Sequence, residues 1–392
     1  MQQPIRILYL IDDLWSSRGG SEQHLLWLLN NIPDSEFAKY FVIFSTLWHS
    51  EPGILKHQPI VLGERYGITR SSWLRRLWAL SRLIRQRNIQ IIQAFSPMGE
   101  LAAILASRLS FCGRVYGCVC GRVRSRVIGN RRDCGYDRRL KYRTINRLSR
   151  FLGTKYIANS EAARQAAFRN DQTPLESITV IRNPVATNRI QEGLFSPLKR
   201  EELPIPKNAQ QGKIIGMVAS VRPIKDYSSL IRAIKIVLEK IPDVWLLCVG
   251  EPLEDHQKEL QHLADELGIS ERVLWYGGID NPLTIIPNFD VAVLSSHSES
   301  FSNSVLEYAV AECPIVVSDV GGLGEIIENN QTGFVVPPQN PKVLAEKILY
   351  LLENPESGKT FGKKAKESVF EKYDEKKILE QYINYYKSIV NS

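Results

Sequence analysis

Glu299 and Glu307 stand eight residues apart and bracket the segment Ser300-Phe301-Ser302-Asn303-Ser304-Val305-Leu306. The run at 290–296 reads as a buried strand before them, and Val305 to Ala311 has helical composition after them, so the pair straddles a strand-to-helix turn. A helix that starts here aims its unpartnered first amides at whatever lies above the strand ends. Amides suit phosphate and carboxylates suit hydroxyls, which together is equipment for gripping a sugar nucleotide. The same residues have a plainer reading: Ser304-x-x-Glu307 fits a capping box in which Glu307 serves a backbone donor, and Glu299 would then be an ordinary loop acid.

Two cations add to the case for chemistry. Arg222 and Lys225 follow an apolar run at 213–220 and precede a helical pattern. At a strand end they would neutralise a diphosphate, the arginine as a two-toothed fork and the lysine as a point charge; a solvated basic turn would look the same. Gly19-Gly20-Ser21-Glu22 sits where the first strand's loop meets its helix, and paired glycines let a backbone approach a phosphate or sugar closely. A second pair, Gly321-Gly322, follows a strand and precedes Glu325.

Other chemistries lack their residues. There is no Gly-x-Gly-x-x-Gly, no Gly-x-Ser-x-Gly and no His-Glu-x-x-His, which argues against a dinucleotide fold, a serine hydrolase elbow and a zinc hydrolase. The six cysteines form no Cys-x-x-Cys pair, so neither a zinc site nor a disulfide framework is expected. No Asp-x-Asp stands at a strand end, and no catalytic metal is expected.

These residues must be positioned by a large framework. At 392 residues the chain suits two domains. Strands are predicted at 5–11, 40–46, 89–95, 114–120, 156–159 and 178–181, with helices between several of them. The pattern restarts with strands at 213–220, 244–250, 273–276, 291–295 and 315–319. Such alternation predicts parallel sheets covered on both faces, an α/β fold of two doubly wound domains whose strand ends face one another across a ligand-binding cleft. Prolines and charges place the boundary near 196–211, giving domains at 1–200 and 201–373, with a last helix at 374–392 beyond the second sheet.

Charge is divided unevenly. Residues 1–200 carry 31 Lys/Arg against 14 Asp/Glu, a balance of +17, while the remainder carries 19 against 28, a balance of −9. The first half therefore calls for an anionic partner. Nucleic acid is not expected, since no recognised module or regular aromatic interleaving appears; an anionic membrane surface or a phosphate-bearing acceptor fits. Twelve basic residues lie between Arg114 and Arg150, and the segment from Ser71 to Arg85 is a basic amphipathic helix holding Trp73 and Trp78, suited either to a membrane interface or to covering a sheet. No uncharged run approaches the roughly 20 residues that span a bilayer, and no secretory signal opens the chain, so a cytoplasmic protein, peripheral on the inner membrane face, is expected.

Taken in order, seven pieces resemble the retaining, nucleotide-sugar-dependent glycosyltransferases of the GT-B fold, family four: Gly19-Gly20-x-Glu22; Tyr156-Ile157-Ala158-Asn159-Ser160; Val180-Ile181-Arg182-Asn183; Arg222 with Lys225; Glu299 with Glu307; Pro314 to Gly322 with Glu325; and Gly333-Phe334-Val335-Val336-Pro337. The resemblance runs from residue 5 to about residue 373. It implies that Arg222 and Lys225 bind the donor diphosphate and that Glu307 binds the ribose hydroxyls. It implies further that Glu299 meets the transferred sugar and its oxocarbenium-like transition state, and that Ser302, Asn303, Ser304 and Val305 supply helix N-terminal amides. Gly19 and Gly20 would let the first domain close on the phosphates, and the last helix would pack back on that domain.

The chain departs from the pattern in places. The stretch 116–122 lacks the histidine that many relatives carry, leaving Arg122 or Arg124 to meet the sugar or acceptor; Pro184, Ser300 and Ser302 stand where many have glycine. The function implied is transfer of one sugar from a UDP- or GDP-type donor to a saccharide or lipid-linked acceptor in glycan assembly, with no cofactor. A nucleotide-sugar epimerase of the same architecture, or a silent sugar-nucleotide-binding protein, is the alternative.

Overall fold

The structure is a computed structural model that describes residues 3–12, 19–44, 59–62, 70–112, 125–135, 149, 154–203, 205–207 and 211–391. In chain order the helices are α1 (Gly20–Asn31), α2 (Arg70–Gln86), α3 (Pro97–Cys112), α4 (Glu161–Asp171), α5 (Thr187–Leu194), α6 (Tyr227–Leu238), α7 (Glu254–Glu266), α8 (Asn303–Val310), α9 (Leu323–Ile326), α10 (Pro341–Glu353), α11 (Pro355–Lys372) and α12 (Glu375–Asn391). Among the described residues no helix is long and apolar enough to cross a membrane.

The chain divides into two units, Met1–Arg182 with Lys376–Ser392, and Asn183–Glu375. The division falls at Arg182, ahead of the 196–211 stretch to which prolines and charges point. The intervening residues join the second unit through bonds that local composition does not reveal, among them the Val185 amide to the Tyr373 carbonyl at 2.9 Å and the Leu198 amide to the Thr284 carbonyl at 2.8 Å.

In the first unit, β1 (Ile5–Ile11), β2 (Phe37–Ile43), β3 (Ile60–Val61), β4 (Ile91–Ala94), β5 (Arg126–Arg131), β6 (Lys155–Ala158) and β7 (Ile178–Val180) form one parallel sheet in the order β3-β2-β1-β4-β5-β6-β7. From Ile7 to Ile11 strand β1 is apolar and buried because both its faces are covered. Ile7, Tyr9 and Ile11 pack with Leu25 and Leu28 of α1 and with Ile378, Tyr382 and Tyr386 of α12. The intervening Leu8 and Leu10 pack with Leu77, Leu80 and Ile84 of α2 and with small residues of α3. The last helix is thus part of this unit's core. Tyr382 meets His24 at 2.8 Å, and the Tyr386 hydroxyl donates to Gln93.

The strand expected at 114–120 lies outside the described residues. The strand seen in this part of the chain is β5, hidden within a basic run. Its Arg131 is a core residue: it pairs with Glu100 at 2.8 Å, both side chains are buried, and its guanidinium stacks 4.1 Å from the Tyr156 ring centre.

The second unit repeats the plan with β8 (Lys213–Val218), β9 (Val244–Val249), β10 (Val273–Gly277), β11 (Val291–Leu294), β12 (Ile315–Ser318) and β13 (Phe334–Val336), all parallel, in the order β10-β9-β8-β11-β12-β13. Strand order reverses between β8 and β11. At that point the connections leave to opposite faces of the sheet, so a crevice opens outside the strands' carboxyl ends.

Candidate active site

The loop after β8 carries the two cations. Arg222 is the residue before the 3-10 turn Pro223–Lys225, and its side chain is exposed, with no acidic partner among the described residues. Asp226 ends the turn in the left-handed region, at φ 49°, and its carboxylate caps α6 by accepting from the Ser229 amide at 3.2 Å and the Ser228 hydroxyl at 2.8 Å. An aspartate tolerates this backbone because its short side chain bonds locally. The turn is tied to its neighbour strand. Ser295, just past β11, donates from its hydroxyl to the carbonyls of Lys225 and Asp226 at 3.2 and 3.0 Å, and the His297 amide donates to the Ile224 carbonyl at 2.8 Å.

The loop after β11 carries the first acid. Lys225 and Glu299 form an ion pair, with side chains only 20% and 14% exposed. The pairing brings together the cation of one loop and the acid of the other at the place where the strand order reverses. The Glu299 carbonyl also accepts from the Gly322 amide at 3.1 Å, so the β12 loop with its glycine pair is fixed to the same residue.

Helix α8 begins next. Ser302 caps it, its hydroxyl accepting from the Val305 amide at 3.3 Å. Glu307 is the fifth residue of the helix, beyond the reach of a capping box, so the plain reading of Ser304-x-x-Glu307 does not hold. Asn303 at the first position accepts from the Asn183 side-chain amide at 2.7 Å. Of the four residues expected to lend amides, Val305 has its amide engaged by the cap. Helix and sheet are joined by Tyr308, whose buried hydroxyl accepts from the Val218 amide at 2.6 Å.

Glu307 is not a surface acid. Its carboxylate Oε1 lies 3.1 Å from Arg189 Nη2, with side chains 14% and 25% exposed, and the same arginine donates to the Asp280 carbonyl at 3.0 Å. Burial pushes the Glu307 carboxyl above the usual carboxylate range, and the Arg189 charge works against that rise. Arg189 lies on α5, a segment whose local sequence gives no sign of reaching a carboxylate so distant in the chain. His297 also escapes motif reading: its Nδ1 lies 3.5 Å from Asp226 Oδ2 and 3.2 Å from Gln339 Nε2.

The remaining expected residues fall elsewhere. Gly19 and Gly20 are in the first unit; Gly19 precedes α1 and Gly20 opens it. Arg122 and Arg124 lie outside the described residues. The second unit therefore unites Lys225 with Glu299, and sets Arg222 and Glu307 on the same two loop-and-helix connections at one sheet edge. Fixed cations beside acids at such an edge can hold a diphosphate and sugar hydroxyls at once.

Residues 199–368 match the glycosyl transferases group 1 family. The poly(ribitol-phosphate) alpha-N-acetylglucosaminyltransferase of Staphylococcus aureus is 28% identical over 184 residues, 47% of this chain and 37% of that protein. The N-acetyl-alpha-D-glucosaminyl L-malate synthase of Bacillus anthracis is 28% identical over 206 residues, 52% of this chain and 53% of that protein. The match thus spans less than two thirds of the length of these relatives. Among solved structures, HepE of Anabaena in complex with UDP superposes with a TM-score of 0.76 at 19% identity, covering 98% of this chain and 100% of that one. This last likeness shows that the two share a fold.

Proposed function

We propose that this chain, which belongs to the glycosyl transferases group 1 through residues 199–368, moves a sugar from a nucleoside diphosphate sugar to a hydroxyl of a saccharide or lipid-linked acceptor, with retention of anomeric configuration. The observation that carries this reading is the Lys225–Glu299 ion pair at the β8–β11 reversal. A donor diphosphate would draw Lys225 and the exposed Arg222 to its oxygens. Glu299 would then meet the sugar next to the phosphate, and Glu307, one helical segment on, the ribose hydroxyls.

In the reaction the bond from the anomeric carbon to the diphosphate oxygen breaks. The acceptor oxygen bonds to that carbon on the same face, and its proton passes to the departing phosphate. The charge that grows on the leaving group is met by the two cations, already gathered at the diphosphate when the donor binds. The oxocarbenium-like sugar is met by the Glu299 carboxylate. This chemistry needs no cofactor, and we assign none.

The nucleotide held by HepE supports UDP-sugars as the first donors to try. The names of the S. aureus and B. anthracis relatives support glycan and glycoside assembly as the setting. We place the reaction in the cytoplasm at a membrane face, because the excess of positive charge in residues 1–200 suits an anionic surface.

The test is a thermal-shift screen against UDP- and GDP-sugars, since a ligand of the native state raises apparent stability, followed by turnover of the selected donor. Slow release of free sugar in the absence of acceptor is expected. Interconversion of donors would make the chain an epimerase, and tight nucleotide binding with no turnover of any donor would make it a binding protein. Lys225→Ala should abolish turnover and Glu307→Ala should weaken donor binding; wild-type kinetics in both would refute the site.

A further inference from the structure

Helix α2 presents two different apolar surfaces. One, made of Leu77, Leu80 and Ile84, is buried with Ala102, Ala103 and Ala106 of α3 against the first sheet. This accounts for the amphipathic pattern as sheet covering. It leaves unexplained Leu74 and Trp78, one turn apart, which are 61% and 64% exposed. Tryptophan is highly buried on average, so a ring this open beside an exposed leucine needs a reason.

Among the described residues of α2 every charged side chain is cationic. Arg75, Arg82 and Arg85 are exposed on the same helix, and none has an acidic partner among the described residues. The Arg82 guanidinium lies 5.8 Å from the Trp78 ring centre. The helix's seventeen residues include no Asp or Glu. On α3, which packs beside α2, Arg108 and Leu109 are exposed as well.

We propose that this face of α2 docks on an anionic lipid bilayer, with Leu74 and Trp78 entering the headgroup region and Arg75, Arg82 and Arg85 pairing with lipid phosphates. An indole ring is at home at the boundary between acyl chains and water, and the arginine beside it can reach the phosphates above. Two isolated apolar side chains are far too small a patch for a stable protein interface, which buries on the order of 1,200 Å² or more. They are enough for shallow insertion when combined with charge, as each basic residue near an anionic surface strengthens partition about five-fold. A lipid surface also explains why the face lacks acids, which a protein partner would tolerate. The proposal does not rest on the transferase reading, because it concerns a different face of a different unit from the donor residues.

Flotation of the purified full chain with phosphatidylcholine vesicles, and with vesicles that also contain phosphatidylglycerol, tests it. The wild type should bind the anionic vesicles, release them as salt is raised, and leave neutral vesicles largely unbound. Leu74→Ser with Trp78→Ser should weaken binding at least about ten-fold, as should Arg75→Gln with Arg82→Gln and Arg85→Gln. Melting temperature and turnover of a water-soluble donor serve as controls and should stay at wild-type values, since every substituted side chain is exposed. Wild-type vesicle binding in both variants, or a wild type that ignores anionic vesicles, would overturn the proposal. Trp78→Tyr and Arg82→Lys, which keep an interfacial ring and the charge, should bind anionic vesicles close to wild type, and a loss in these folded proteins as large as in the serine and glutamine variants would overturn the proposal as well.

Discussion

Removing the Arg189 side chain in Arg189→Met should make nucleotide binding depend on pH. Arg189 Nη2 and Glu307 Oε1 are 3.1 Å apart. At an effective dielectric constant of about 20 that separation is worth about 5 kcal/mol of attraction, most of which is returned as the cost of taking both charges out of water. What survives is directional: the arginine opposes the upward push that burial gives the Glu307 carboxyl. Without it the carboxyl rises further and keeps its proton to higher pH. A neutral carboxyl makes hydrogen bonds about half as strong as a carboxylate. A bond to a charged group contributes about 1.5–3 kcal/mol, so for a bond at the upper end of that range halving the proposed grip on the ribose hydroxyls costs about 1.5 kcal/mol, roughly ten-fold in affinity.

Calorimetric titration of UDP from about pH 5.5 to about pH 8.5 reads this out, a range chosen to span the conditions under which a raised carboxyl ionises. Arg189→Met should bind about ten-fold more weakly at the acid end and approach wild type as pH rises and Glu307 ionises. Arg189→Lys, which keeps the charge, should recover most of the affinity. In a Glu307→Gln background, removal of Arg189 should add no pH dependence. A deficit that is constant across the range would refute the reasoning, because it would mean that Arg189 acts by packing alone. Tighter binding at every pH would refute it too, by showing that the arginine obstructs the site.

Two further outcomes follow from the fold. Gly250→Ala should destabilise the second unit by about 3 kcal/mol, because a Cβ there would stand 2.0 Å from the Ala219 carbonyl oxygen; chemical denaturation measures it, and a loss below about 1 kcal/mol would show that β8 and β9 can part. His24 is held well below its ordinary pKa by burial first and by the Arg132 charge second. The unfolded chain therefore takes up a proton that the folded chain refuses, and this stability, complete above about pH 6.5, is lost as pH falls, by at most about 1.4 kcal/mol per pH unit. His24→Asn should flatten that part of the stability-versus-pH curve, and an unchanged slope would exclude His24 as its source.

The parts of the fold that were legible in the sequence are those where a local pattern has one solution. The runs at 213–220 and 244–250 are mostly apolar without alternation and short enough to favour a strand covered on both faces over a helix, and they form β8 and β9. Strand β5 was hidden for the opposite reason. Its terminal arginines read as part of a solvated basic run, and only the buried partner Glu100, from α3, explains why Arg131 is inside. In the site, the loops and their acids were found by spacing, whereas the partners Arg189 and His297 were not. Their contacts with Glu307 and near Asp226 join segments far apart in the chain, and no short motif encodes such a meeting. Ser304-x-x-Glu307 shows the same limit from the other side: two residues at capping-box spacing, with Ser302 taking the cap and leaving Glu307 for Arg189.

One hydroxyl links the segments that carry the proposed donor residues. Strands β8 and β11 pair through Val291 with Ile215 and Ala292 with Gly216. Farther along, the amide of Val218 turns to the Tyr308 hydroxyl at 2.6 Å, and that hydroxyl also reaches the Val293 carbonyl at 3.4 Å. A side chain from α8 thus stands in for the next rung of the ladder. It satisfies backbone groups that would otherwise be buried without partners and lets the two strands diverge. The loops that leave the diverging ends are then held by Ser295 on one side and by the Lys225–Glu299 pair on the other. On this account the tyrosine is fixed by its position one residue after Glu307: the helix that carries this acid also bonds the strand that leads to Arg222 and Lys225 and the strand that leads to Glu299, so the proposed site residues are not placed independently of one another.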